Sequence, residues 1–261
     1  MFLKLKVMYE KIYDFCKIRN KGNIYDNDPE TPTPRVEFLI NLLDSECIKY
    51  ELDKFESDGG WRGEKITGYN IILKGDSNRM VVAHHDINNP NIDNANDNSA
   101  SVINAIMVKK LMPHIHVVLL DGEEFGGIGS QRVSEQINDG YYGDIEWVLN
   151  LELTGRGGKH FFIGNYPGKL HDSILKLFNC PVVDTPYNDS VTIRKNGIDS
   201  CVINPLPPLN EGKSKVMWDD NTYLDYNMLF NCHSTRDTVD TISTKDMKEF
   251  VEDVLIKILN V

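Results

Sequence analysis

Apolar positions along the chain fall into two rhythms. At the start, Phe2, Leu5, Met8, Ile12 and Phe15 recur at helical spacing in MFLKLKVMYEKIYDFCKIRNKGN, so this segment reads as an amphipathic helix. Lys4, Lys6, Glu10, Lys11 and Asp14 interrupt each apolar run before it reaches the length of a secretory signal core. After a polar, proline-containing link, YDNDPETPTP, helical spacing returns in RVEFLINLLDSECIKY. Then the rhythm changes. IKYELDKFES alternates like a strand, and YNIILKG and RMVVAHHD are short β-rich runs of the kind a sheet buries, with the glycines of SDGGWRGEKITG marking a turn between them. The pattern is helical again from Ala100 to Leu111. HIHVVLLDGEE is a further apolar run ending in acids, with a helix expected from about Ser130, and IEWVLNLELTG repeats the theme. Beyond these come a helix near KLHDSILKLF, a short strand near CPVV, a helix near DSVTIRKN, a strand at SCVINPL, a long loop and a closing helix, TKDMKEFVEDVLIKIL.

Strands alternating with helices predict an α/β fold, a three-layer sandwich whose central mixed, mostly parallel sheet is flanked by helices. The chain shows no internal repeat and no low-complexity tract. It is expected to form one domain over 1–261, with the N-terminal helices of about 1–47 packed onto it. In such sheets ligands gather at the carboxyl ends of the strands. Three of the expected strands end at His84/Asp86, at Glu123/Glu124 and at Glu152, so these polar clusters should meet at one place.

Composition narrows the picture. With 261 residues, 41% hydrophobic and 26% charged, the chain reads as soluble and globular, and no stretch has the apolar length needed to cross a bilayer. Cys16, Cys47, Cys180, Cys201 and Cys232 are odd in number, widely spaced and free of any CxxC pair, which suits reduced thiols and a cytoplasmic setting. The formal net charge of −11 argues against a nucleic-acid partner. It also leaves carboxylates available for cations.

Taken singly, each cluster has an ordinary reading. In His84-x-Asp86 the outer side chains share a face if the strand continues, so the carboxylate could orient an imidazole ligand, or the pair could simply be a strand end reaching solvent. Asp97 in NANDNSAS would be a normal turn residue. Glu123 and Glu124, adjacent after a buried strand, repel one another unless a cation or a proton intervenes, and Gly126, Gly127 and Gly129 suit a tight path into the next helix. Glu152 is acidic among apolar residues and needs a partner. His233 in NCHSTRDT could belong to a loop leading into a helix cap. Together, two histidines with Asp97, Glu124 and Glu152 form a mixed imidazole and carboxylate set that suits zinc, or alternatively cobalt or manganese.

HHD with NDNSAS, GEEFGGIGS, NLELTG and HSTRDT, in that order, resembles the M28 family of di-zinc metallopeptidases, which holds aminopeptidases and glutamate carboxypeptidase-like exopeptidases. The motifs run from about Asn70 to Thr241, and the first two helices carry none. The resemblance implies a zinc-exopeptidase-like fold and two Zn2+ per chain, with Co2+ or Mn2+ as alternatives. Asp97 would bridge the ions, His84 and Glu152 would complete one site, and Glu124 and His233 the other. It further implies Glu123 as general base for a hydroxide bridging the two zincs, Asp86 as the residue orienting His84, and Asp237 as a support for the His233 loop. The expected activity is that of an aminopeptidase acting on short peptides. Alternatives are a glutaminyl-cyclase-like acyltransferase using one zinc, and a non-catalytic binding protein of the same fold.

The chain departs from the family pattern at three points: Glu152 stands where Asp is commoner, Ala100-Ser101 replace Ser-Gly, and YNDSVTIRKNGI matches the pocket segment only loosely. His114-x-His116 has metal-like spacing but begins its strand, so it reads as structural, and His85 should face away from His84. Cys232 reads as an inert thiol. Arg194 and Lys195 are the cations a carboxypeptidase would want, or a solvated helix face. The loop holding Trp218, Tyr223 and Tyr226 is a candidate substrate rim.

Overall fold

The computed structural model describes residues 2–18, 32–58, 66–209, 216–217 and 223–261. Most of the YDNDPETPTP link, the turn at Gly59 and Gly60, and Trp218 lie outside the described residues.

Eight strands form one mixed sheet: β1 (Glu51–Ser57), β2 (Ile66–Leu73), β3 (Arg79–His84), β4 (His116–Leu120), β5 (Trp147–Leu151), β6 (Phe161–Gly164), β7 (Val182–Val183) and β8 (Ser200–Pro205). Their spatial order is β1-β2-β4-β3-β5-β8-β6-β7. The central run β4-β3-β5-β8 is parallel, with His84 in register with Leu120 and Val82 with Asn150. β1, β2 and β6 pair antiparallel at the flanks. The carboxyl ends of β3, β4 and β5 therefore lie side by side.

Alternation along these strands builds the layers. Val81, Ala83, Val117, Leu119, Leu149 and Leu151 face one apolar cluster, while Met80, Val82, Val118, Leu120 and Val148 face the other. The first cluster is covered by α1 (Phe2–Phe15), α2 (Pro34–Ser45), α3 (Ala100–Leu111), α5 (Lys169–Leu177) and the closing helix. That last helix runs as α7 (Thr244–Glu249), a π-helical stretch Phe250–Leu255 and α8 (Ile256–Leu259). The second cluster is covered by α4 (Ile128–Asn138) and α6 (Asp189–Lys195). α2 starts where Thr33 caps it, its hydroxyl accepting from Val36 N, with Pro34 at the first helical position.

Two features depart from the pattern-based reading. β6 was not marked by periodicity, because FFIG is apolar at every position and buried on both faces, so no alternation signals a strand. The long segment before His233 contains a small sheet of two-residue strands, β9 (Pro208–Leu209), β10 (Val216–Met217) and β11 (Tyr223–Leu224), too short to leave a pattern.

Candidate metal centre

β3 ends on His84 and the chain continues into Asp86, both almost fully buried. Asp86 Oδ1 lies 3.4 Å from His84 Nδ1. The same carboxylate accepts from Glu123 N at 3.2 Å and Glu124 N at 3.0 Å. It thus stands beside the imidazole and anchors the turn after β4. That turn follows a tight path: Gly126 and Gly127 have φ of 112° and 68°, open to glycine at little cost.

The Asp97 loop is held by the asparagines around it, which the sequence presents as turn residues. Asn98 donates to Leu151 O at 2.9 Å and accepts from Leu153 N at 3.1 Å, and Asn96 accepts from Gly155 N at 2.8 Å. These bonds fix the loop against the segment carrying Glu152. The Asp97–Asn98 peptide is cis. Ser101 bonds the Thr154 hydroxyl at 3.0 Å, adding a tie between α3 and the Glu152 turn. Asp237, expected to support the His233 loop, donates its backbone N–H to Ser234 O at 3.0 Å, and its carboxylate accepts from Asn96 N at 2.7 Å and Asp97 N at 3.0 Å. Its carboxylate holds the Asp97 backbone from 140 residues away, a contact no local pattern encodes.

Asp97 is central. Its Oδ1 lies 3.3 Å from His84 Nε2, which is 3.6 Å from Glu152 Oε2. Its Oδ2 lies 3.1 Å from His233 Nε2, which is 3.1 Å from Glu124 Oε1. Two triads thus share one carboxylate, one oxygen each. Zinc binds N and O ligands at about 2.0–2.2 Å, so two ligands of one tetrahedral ion stand about 3.3–3.5 Å apart. The His84–Asp97 separation falls in that range and the other three lie within about 0.2 Å of it. His84, Glu123 and Glu124 also converge, their ligand atoms within 4.8 Å of one another.

The electrostatics describe a cluster needing positive charge. Burial, together with Asp189, Glu152 and Glu124, holds the Glu123 carboxyl well above the usual range, and burial also raises Glu124 and Glu152. Burial disfavours charge on His84, but Glu152, Asp86 and Asp97 outweigh it and raise its pKa well above the ordinary imidazole value. Asp97 lies well below its usual value: burial opposes this, and His233 and His84 prevail. Divalent ions would supply positive charge to this cluster.

A pocket of about 450 Å³ opens onto the cluster. Leu153, Phe162, Val202 and Leu229 give it apolar walls, with Tyr187 and Asn204 among its polar edges, and no Lys or Arg is among the described residues lining it. Arg194 is engaged elsewhere, donating to Asp199 Oδ1 at 3.2 Å and Pro167 O at 2.9 Å, and Lys195 rests 5.6 Å over the Tyr187 ring. His116 lies at the start of β4, where Nδ1 accepts from Gly75 N at 3.2 Å. His85 Nε2 turns away to Tyr69 O at 2.9 Å.

Three residues at the site were not singled out by pattern. Asp189, completely buried, has its pKa pushed up to about 7 by burial, with Glu152 and Asp86 adding to the rise against His84 and Ser130. In sequence it looked like an ordinary helix start. Asp121 accepts from Tyr69 N at 2.8 Å and is pushed up to about 6, chiefly by burial. Arg35 reaches the back of the site from α2, and its one sequence signal was its place on an otherwise apolar helical stripe with Leu39 and Leu42.

An α/β sandwich that gathers two imidazoles and several carboxylates at the carboxyl edge of its central strands is the framework of a metal-dependent enzyme. The model of Peptidase family M28 matches residues 70–256, and the chain belongs to that family. Comparison with curated proteins gives no match. Among solved structures, the chain is similar to a glutaminyl cyclase from an Acidobacteriales bacterium, at 18% identity and a TM-score of 0.71 over 98% of this chain and 92% of that one. It is similar to the Porphyromonas gingivalis glutaminyl cyclase at 18% and 0.68, over 98% and 96%. It is also similar to a Zn-dependent exopeptidase from Parabacteroides distasonis at 16% and 0.64, over 98% of each chain. At these identities the likeness establishes the fold.

Proposed function

We propose that the protein is a zinc-dependent exopeptidase of the aminopeptidase type, with residues 1–261 forming one catalytic domain. The observation that carries this reading is the division of Asp97, whose two oxygens face separate triads. His84, Asp97 and Glu152 would hold one ion, and Asp97, Glu124 and His233 the other. Zinc bound there supplies a Lewis acid for the scissile carbonyl and acidifies water at neutral pH.

The chain's own residues do the rest. Glu123, beside the pocket, takes a proton from the attacking water and hands it to the leaving amine. Asp86 fixes the ring of His84 and the backbone of Glu123. The apolar walls exclude water and receive an apolar side chain. No Lys or Arg stands among the described lining residues to take a substrate carboxylate, which disfavours recognition of the carboxyl terminus.

A second reading, a glutaminyl-cyclase-like acyltransferase using one zinc, is favoured by the TM-scores of 0.71 and 0.68 to two glutaminyl cyclases over nearly the whole chain. One panel separates the two: aminoacyl substrates, N-blocked dipeptides and peptides beginning with glutamine, each with and without chelator. Chelator-sensitive release of amino acids from unblocked substrates only is expected. Cyclisation of the glutamine peptides without hydrolysis would move the assignment to the second reading. Glu123→Gln should lower turnover about 10²- to 10⁴-fold with metal content unchanged. Preserved turnover in that variant would refute the role given to Glu123.

A further inference from the structure

Four of the five cysteines stand apart from the metal centre: Cys16, Cys180 and Cys201 sit in the apolar core and Cys47 is exposed. Cys232 is different. It lines the pocket, and its thiol donates to Asp97 Oδ2, the oxygen that His233 Nε2 faces at 3.1 Å. The ligand atoms of Asp97, Cys232 and His233 all lie within 4.8 Å of one another. Neighbouring residues in an extended strand point to opposite sides, but His233 adopts a left-handed conformation, with φ of 56°. That turn brings both side chains to the same carboxylate oxygen.

We infer that Cys232 is a thiolate ligand of the ion held by Asp97, Glu124 and His233. The inference rests on the metal reading given above. When the sulfur–metal bond forms, the S–H bond breaks and its proton passes to solvent, so no oxidant or reductant is needed. The two metal positions then differ in kind. Asp97, His233 and Cys232 converge, and with Glu124, 3.1 Å from His233 Nε2, they would supply four protein donors, the closed set of a structural zinc site. His84, Asp97 and Glu152 supply three, which leaves a position for water or a substrate carbonyl. The work of polarising substrate falls to the His84 side, and the His233 side chiefly fixes Asp97. A thiolate donor also selects zinc or cobalt over manganese, which prefers oxygen ligands.

The test is the absorption spectrum of purified protein stripped of metal and reloaded with Co(II). The expected wild-type spectrum has visible ligand-field bands together with a near-ultraviolet sulfur-to-cobalt charge-transfer band. Cys232→Ser should keep the visible bands, lose the near-ultraviolet band, and bind zinc at least about tenfold more weakly in chelator competition. Cys47→Ser should leave both features unchanged. Visible bands without the charge-transfer band in the wild-type protein, or a band that survives Cys232→Ser, would overturn the inference while leaving the metal reading intact. No cobalt spectrum of any kind would overturn both.

Discussion

Replacing Arg35 by Met probes how a helix outside the family motifs supports the site. Arg35 is 1% exposed, and burial lowers its pKa to about 10, so it stays charged at neutral pH. Its Nε donates to His85 O at 2.8 Å, and its terminal nitrogens donate to Ser99 Oγ at 2.8 Å and Ile18 O at 3.3 Å, with the guanidinium 3.8 Å over the Phe15 ring. The His85 carbonyl lies between His84 and Asp86, and Ser99 is two residues beyond Asp97. One cation therefore ties both ligand-bearing loops to the N-terminal helices. Two short bonds from a charged donor contribute about 3–6 kcal/mol together. Removing a cation from a fully buried position returns part of that, so a net loss of about 2–3 kcal/mol is expected for the roughly isosteric Met. At about 2–4 °C per kcal/mol for a chain of this size, the Tm should fall by about 5–10 °C. The assay is thermal unfolding with and without chelator, beside zinc competition titrations. Zinc should bind about tenfold more weakly. Leu39→Ala, a core truncation on the same helix costing about 2–5 kcal/mol, should lower Tm without changing zinc affinity. An Arg35→Met protein with unchanged Tm and zinc affinity would show that Arg35 does not brace the site.

Two further outcomes follow from packing and burial. A Cβ at Gly129 would stand 2.2 Å from Asp121 O, a backbone atom that cannot swing aside, so Gly129→Ala should cost about 1–3 kcal/mol and lower Tm by several degrees. An unchanged melting curve would contradict that. Burial raises the thiols of Cys16, Cys180 and Cys201 from 9.0 to about 12. Between those values the folded chain keeps protons that the unfolded chain has released, so this contribution is fully present below about pH 9 and is lost as pH rises toward about 12. Denaturant titrations at stepped pH should show that decline, with Cys201→Ala flattening its slope; constant stability across the window would contradict it.

Much of the fold was legible because the helices and central strands are amphipathic or strongly apolar in the right period. α3 runs over the same Ala100 to Leu111 stretch that the sequence pattern marks, and the acids after β3, β4 and β5 fall where parallel strands bring their carboxyl ends together. The ordered motifs mark His84, Asp97, Glu123, Glu124, Glu152 and His233 as one cluster, and the structure brings these side chains together. What stayed hidden was long-range. Asp237 and Asp97 are 140 residues apart, and Arg35 and Ser99 are 64 apart, so nothing local marks either contact. Cys232 looked inert because sequence alone does not show the turn at His233 that sets its thiol against Asp97.

We propose that Asp97 joins two metal positions, and the metal-to-protein ratio of the purified chain, by elemental analysis, checks it. Two zinc ions per chain are expected. One ion per chain, or none, would contradict the shared-carboxylate centre.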